Sequence, residues 1–88
     1  MIFIVLARWR KKITKETLAE TSKLFKLAEK EGVKFLALYW TLGRYDAVAI
    51  TEAKDEKTFM RAVMRWADIQ SSETLVAVPR EEAIKLLE

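Results

Sequence analysis

The stretch FLALYWTLGRYDAVAITEA, residues 35–53, decides the fold. Two runs rich in β-branched and aromatic residues flank Gly43-Arg44, which reads as the Gly-X pair of a two-residue type II′ hairpin. Centring the turn there fixes the pairing. Leu42 stands opposite Tyr45, Thr41 opposite Asp46, Trp40 opposite Ala47, Tyr39 opposite Val48, Leu38 opposite Ala49 and Ala37 opposite Ile50. One face then carries Leu36, Leu38, Trp40, Leu42, Tyr45, Ala47 and Ala49. The other carries Phe35, Ala37, Tyr39, Val48 and Ile50. Both are apolar.

Working outward, Ile2–Trp9 reads as a strand with the same two-sided character: Phe3, Val5, Ala7 and Trp9 on one side, Ile2, Ile4 and Leu6 on the other. Thr14 is an N-cap for a helix over Lys15–Glu31, with Leu18, Leu24, Phe25 and Ala28 on one face. Gly32 follows as the C′ residue. Val33–Leu42 and Tyr45–Ala53 are the strands of the hairpin. Asp55 caps a second helix over Glu56–Ile69, whose apolar stripe is Phe59, Ala62, Val63, Trp66 and Ala67. Thr74–Val78 is a fourth strand, stopped by Pro79, and Glu81–Leu87 a short terminal helix. The order places the chain in the α+β class, as one domain spanning residues 1–88. The expected fold is a ferredoxin-like βαββαβ sandwich: a four-stranded antiparallel sheet with two helices on one face.

Two helices cover one side of a sheet. A solvated antiparallel face should alternate apolar with polar residues, and this one does not. An uncovered side would be a larger apolar patch than a monomer tolerates. The expected cover is a second copy of the chain, sheet against sheet, in a homodimer. The competing expectation has the terminal helix folding back, through Ala83, Ile84 and Leu87, over part of that side.

Composition narrows the chemistry. The 88 residues contain no cysteine and no histidine, which removes disulfides, Cys–His metal sites and every Ser-His or Cys-His nucleophile pair. No carboxylate spacing marks an oxygen-ligand metal loop, so neither metal nor cofactor is expected. Asparagine is absent, glutamine occurs only at Gln70, and Lys and Glu number ten each, a balance associated with hyperthermophile proteins. Residues 1–44 carry ten basic and four acidic side chains, residues 45–88 six and nine. Arg8-Trp9-Arg10-Lys11-Lys12 with Lys15 is a dense cationic loop, but one such loop in a chain with an acidic second half does not make a nucleic-acid surface. Met1–Ala7 is apolar but too short for a membrane span and lacks signal-peptide flanks, so the expected compartment is the cytoplasm.

The candidate ligand-binding residues cluster at the hairpin. Arg44 is free to meet a ligand carboxylate, Asp46 to orient a polar group, and Tyr45 with Trp40 to form packing walls. The plain alternative is turn chemistry: Gly43 supplies the dihedral, Tyr45 packs on Leu42, and Asp46 accepts backbone or Thr41 hydroxyl hydrogen bonds. Tyr39, Trp40 and Trp66 are the aromatic groups that a pocket would use, with core packing as the competing role, chiefly for Trp66. No pair of carboxylates is spaced for acid–base catalysis.

The stretch from Phe35 to Ala53, with Gly43-Arg44-Tyr45-Asp46 inside it, resembles the GYD-domain family, and Ser71–Leu75 resembles that family's last strand. The resemblance covers nearly the whole chain. It implies a dimeric α+β barrel and no defined activity. Two relatives of that architecture supply function classes. Effector domains of leucine-responsive regulators carry a similar Gly-x-Tyr-Asp hairpin and bind amino acids at subunit seams. Cofactor-independent monooxygenases enclose aromatic substrates between sheet and helices. The first makes this chain a small-molecule-binding or regulatory module holding an anionic or aromatic metabolite near Gly43–Asp46 or at the subunit interface. The second makes it an enzyme on an aromatic substrate, but without the His and Asn that such pockets often use.

Overall fold

Alternation in the first strand organises the sheet. In the computed structural model, which describes residues 1–88, β1 (Ile2–Trp9) buries Phe3, Val5 and Ala7 and leaves Ile2, Ile4 and Leu6 half-buried on the opposite side. It is a central strand, paired antiparallel with β3 (Ala47–Glu52) and β4 (Gln70–Ala77). β2 (Lys34–Trp40) lies outside β3, giving the order β2-β3-β1-β4. With α1 (Lys15–Lys30) after β1 and α2 (Glu56–Arg65) after β3, the arrangement is the βαββαβ of a ferredoxin-like sandwich, followed by α3 (Arg80–Lys85).

The helices start where the sequence provides a cap. The Thr14 hydroxyl accepts from Thr17 N–H at 3.2 Å and the Asp55 carboxylate from Thr58 N–H at 2.8 Å. Gly32 ends α1 at φ +101°, a conformation that costs glycine little. Glu31, the C-cap of α1, receives both Arg65 and Arg61 of α2 and ties the helices together. The helices cover the Phe3–Val5–Ala7 face. Phe3 stacks on Phe59 with ring centroids 4.5 Å apart, and Val33, Ala28, Ala53 and Ala62 close the core around them.

The hairpin keeps its expected register from Ala37↔Ile50 to Trp40↔Ala47 and departs from it at both ends. A bulge at Leu36 skips one residue, so Phe35 pairs with Thr51 and turns to the helix side, not the open side. There it meets Phe25 edge-on, at 4.9 Å. At the turn, four residues rather than two lie between the closing pair Thr41 and Asp46. Thr41 N–H donates to Asp46 O at 2.8 Å and the Thr41 hydroxyl to Tyr45 O at 2.7 Å. The ladder stops because Asp46 turns to β1: its N–H donates to Ala7 O at 2.8 Å. Gly43 still supplies a positive φ, +122°, and Leu42 is fully exposed, outside either face.

The second half differs in its boundaries. α2 ends at Arg65 instead of running to Ile69, because Trp66 caps it and Ile69 O accepts from Arg10 N–H at 2.7 Å. β4 begins at Gln70, four residues before the expected start, since Arg8 and Trp9 offer ladder partners to Ser71 and Gln70. α3 buries none of its residues, and Leu87, one of the three side chains expected to fold back over the open face, is 89 % exposed. That face remains as alternation sets it: Ile2, Ile4, Leu6, Ala37, Val48 and Ile50 half-buried, Tyr39 and Leu75 exposed. Only 11 of 88 residues are buried, few enough that the chain leaves much of its apolar surface to be covered from outside. No helix is long and apolar enough to cross a membrane.

Candidate functional site

Between the helix layer and the sheet lies a cavity of about 170 Å³, 18 of whose 21 lining residues are hydrophobic. β1 contributes Val5, Ala7 and Trp9, β3 contributes Ala47, Ala49 and Thr51, and α2 contributes Phe59, Ala62, Val63 and Trp66 at its C-cap. All three tryptophans of the chain are in the wall. Trp9 meets Trp40 edge-on at 5.2 Å, and Phe25 meets Trp66 at 4.7 Å. The closed end is set by Thr51 and Phe59, which are essentially buried. The wall members that reach solvent are Leu18, Leu38 and above all Trp40, 66 % exposed, with Trp9 and Ile13 half-buried. The cavity therefore opens at the end of the sheet where β1 and β2 finish.

Small side chains make the space. Ala7, Ala47, Ala49 and Ala62 stand where larger residues would fill a core, while the aromatic rings prop the layers apart. The polar side chains in the wall are Thr21, Thr51 and Gln70, and Tyr39 is also a lining residue. Two of these are engaged: Thr21 donates to Leu18 O at 2.9 Å and Thr51 to Phe3 O at 2.8 Å. Strand alternation sends the Tyr39 ring to the open face, so its backbone is what reaches the cavity. No carboxylate, ammonium or guanidinium lines the space. A buried charge there would lack a partner, so an uncharged group is what it accepts.

The six residues singled out in the sequence divide into two sets. Trp40, Trp66 and, through its backbone, Tyr39 line the cavity; Arg44, Tyr45 and Asp46 do not. Asp46 Oδ2 accepts from Trp9 N–H at 2.9 Å. It takes the ladder position that β3 vacates, and so fixes the hairpin loop to the strand carrying Trp9. Tyr45 donates its hydroxyl to Glu73 Oε2 at 2.8 Å, across to β4, and does not pack on Leu42. That bond raises the phenol's pKa above its ordinary value. Arg44 is exposed and outside the two ion pairs, which both centre on Glu31; its guanidinium lies against the Tyr45 phenol. Sequence reasoning missed Trp9, Ile13, Phe25 and the four alanines as cavity wall. The usable signal was small residues alternating on the helix-facing side of the two central strands. No group of three or more metal-ligating side chains gathers anywhere.

The family model described as GYD domain matches residues 3–87. No curated protein matches the chain. Among solved structures, a dimeric ferredoxin-like protein of unknown function from Thermobifida fusca YX is similar at 16% identity, covering 86% of this chain and 89% of its own, with TM-score 0.51. SnoaB, a cofactor-independent oxygenase from Streptomyces nogalater, is similar at 16% identity, covering 90% and 91%, with TM-score 0.52. Identities this low establish a shared fold and nothing finer.

Proposed function

The chain belongs to the GYD-domain family, and from that footing we propose that it is a homodimeric small-molecule-binding module whose ligand places an uncharged ring in the cavity between helices and sheet. The observation that carries this reading is the convergence of all three tryptophans on one apolar cavity of about 170 Å³. An engineered apolar cavity of about 150 Å³ holds benzene and stays dry, so the space is that of one ring. Binding is favoured over chemistry because proton transfer to a bound ligand needs an acid or base within reach, and the wall offers neither a carboxylate nor an amine. Titration with toluene and benzyl alcohol, followed by intrinsic tryptophan fluorescence, tests it. Saturable quenching or shift is expected; a flat trace with both removes the reading.

A second reading, a cofactor-independent oxygenase acting on an aromatic compound, is favoured by the position of the cavity between sheet and helices in a chain with the same fold as SnoaB. Oxygen uptake in the presence of a bound hydroquinone separates the two: the binding reading predicts none above buffer.

The homodimer rests on the open sheet face. At ~25 cal/mol per Å², removing several hundred Å² of such surface from water is worth on the order of 10 kcal/mol before association costs. Tyr39 and Leu75 on that face stay exposed, and the tail helix buries none of its own residues. Light scattering on an eluting peak should give twice the chain mass of 10.2 kDa. Ile50→Lys, at the centre of the face opposite Ile4, should shift the peak toward the monomer. A monomeric wild type at micromolar concentration would remove this part of the reading.

A further inference from the structure

The cavity interior carries no charge, but its mouth does. Arg10, Lys11 and Lys12 sit in the loop between Trp9 and Ile13, both of which are wall residues. Lys15 opens α1 just beyond. Arg44, in the loop that leaves Trp40, is not part of this group: its guanidinium lies against the Tyr45 phenol, which bonds Glu73 on the open-face side of the sheet. The four cations Arg10, Lys11, Lys12 and Lys15 are exposed, and none makes an ion pair. Three acids share this end: Glu16 in the first turn of α1, Asp46, which is engaged by Trp9 N–H, and Asp68 in the turn after α2. The cations outnumber them. The other half of the apparent hairpin site is closed to ligands, since Tyr45 is spent on Glu73.

Apolar depth beneath a cationic rim is the profile of an amphipathic monoanion. We propose that the ligand is an aryl carboxylate: its ring enters among Trp9, Trp40 and Trp66, and its carboxylate stays at the mouth, within the field of Arg10, Lys11, Lys12 and Lys15. A carboxylate drawn into the cavity would be desolvated without a partner. At the rim it keeps its water and gains attraction that salt screens. This inference rests on the cavity being a ligand site. It adds the polarity and orientation of the occupant.

Calorimetric titration with benzoate, phenylacetate and 3-phenylpropionate, each beside its primary amide, tests the proposal. The acid and amide share a ring and differ in charge. At low ionic strength at least one acid should bind about fivefold or more tighter than its amide. The advantage should collapse in 1 M salt, where the screening length falls to about 3 Å, while amide binding persists. Lys15→Gln alone should lower the acid's affinity with little effect on the amide, and the combined Arg10→Gln, Lys11→Gln, Lys12→Gln variant should abolish the preference, with thermal melts verifying that it folds. Equal affinity for acid and amide across the series would overturn the rim assignment and leave the cavity reading standing. Failure of acids, amides and toluene alike would overturn both.

Discussion

Replacing Asp46 by alanine separates two roles for the hairpin. The carboxylate accepts Trp9 N–H at 2.9 Å, at the point where β3 no longer supplies a ladder partner. Without it a partly buried N–H loses its acceptor, at a cost of about 1–3 kcal/mol. In a domain of this size each kcal/mol moves the melting midpoint by roughly 4–8 °C. A loss near 2 kcal/mol therefore lowers it by about 8–16 °C. Asp46→Asn, which keeps an acceptor oxygen, should lose less than half as much. Scanning calorimetry reads the midpoints, and tryptophan fluorescence with toluene reads the cavity. The structure makes Asp46 a brace for Trp9, so ring binding should weaken in step with stability. Had the carboxylate been an orienting group for ligand, affinity would collapse while the midpoint stayed put. That pattern, or an alanine variant as stable as wild type, refutes the bracing argument.

Ala62→Leu should fill part of the cavity, leave stability unchanged or raise it by up to about 1 kcal/mol, and abolish toluene binding; a melt paired with the titration checks both. Gly43→Ala adds a Cβ that meets nothing within 4 Å, yet the position holds φ +122°. Its loss in a urea melt should therefore be purely conformational, about 1–2 kcal/mol. Hydrogen bonds from the Thr58 side chain and backbone hold the Asp55 carboxyl below its ordinary pKa. The depressed folded value means its contribution is present above the unfolded pKa and fades as pH falls through the folded one, so Asp55→Ala should be destabilising at pH 7 and nearly neutral at pH 2. Tyr45 is the opposite case. Its raised folded value means the Glu73 bond contributes in full below pH 10 and is lost as pH rises through that value. Tyr45→Phe should flatten the alkaline limb of the stability profile.

The element order, the hairpin register and the two-sided apolar sheet were legible because period-2 patterning and a lone Gly-X pair are local signals. The bulge at Leu36 was not, since nothing in Phe35-Leu36-Ala37 distinguishes a skipped residue from a regular strand. It is fixed by the needs of two faces at once: Phe35 is wanted by Phe25, Tyr39 by the open side. The early start of β4 was hidden for the same reason. Ser71, Ser72 and Glu73 have little strand character of their own and pair because β1 extends to meet them. At the site, the hairpin drew attention through its distinctive composition, but Asp46 and Tyr45 spend their polar groups on Trp9 and Glu73. The cavity arises from alanines on three elements facing aromatic rings on others. Such a void is a tertiary property that no single segment announces.

A crystal of the protein soaked with iodobenzene, with diffraction recorded for the anomalous signal of iodine, would locate a bound ring outright. A strong peak is expected between the helix layer and the sheet, against Trp9, Trp40 and Trp66. An empty cavity with iodine only on the outer sheet face, or nowhere, would contradict it.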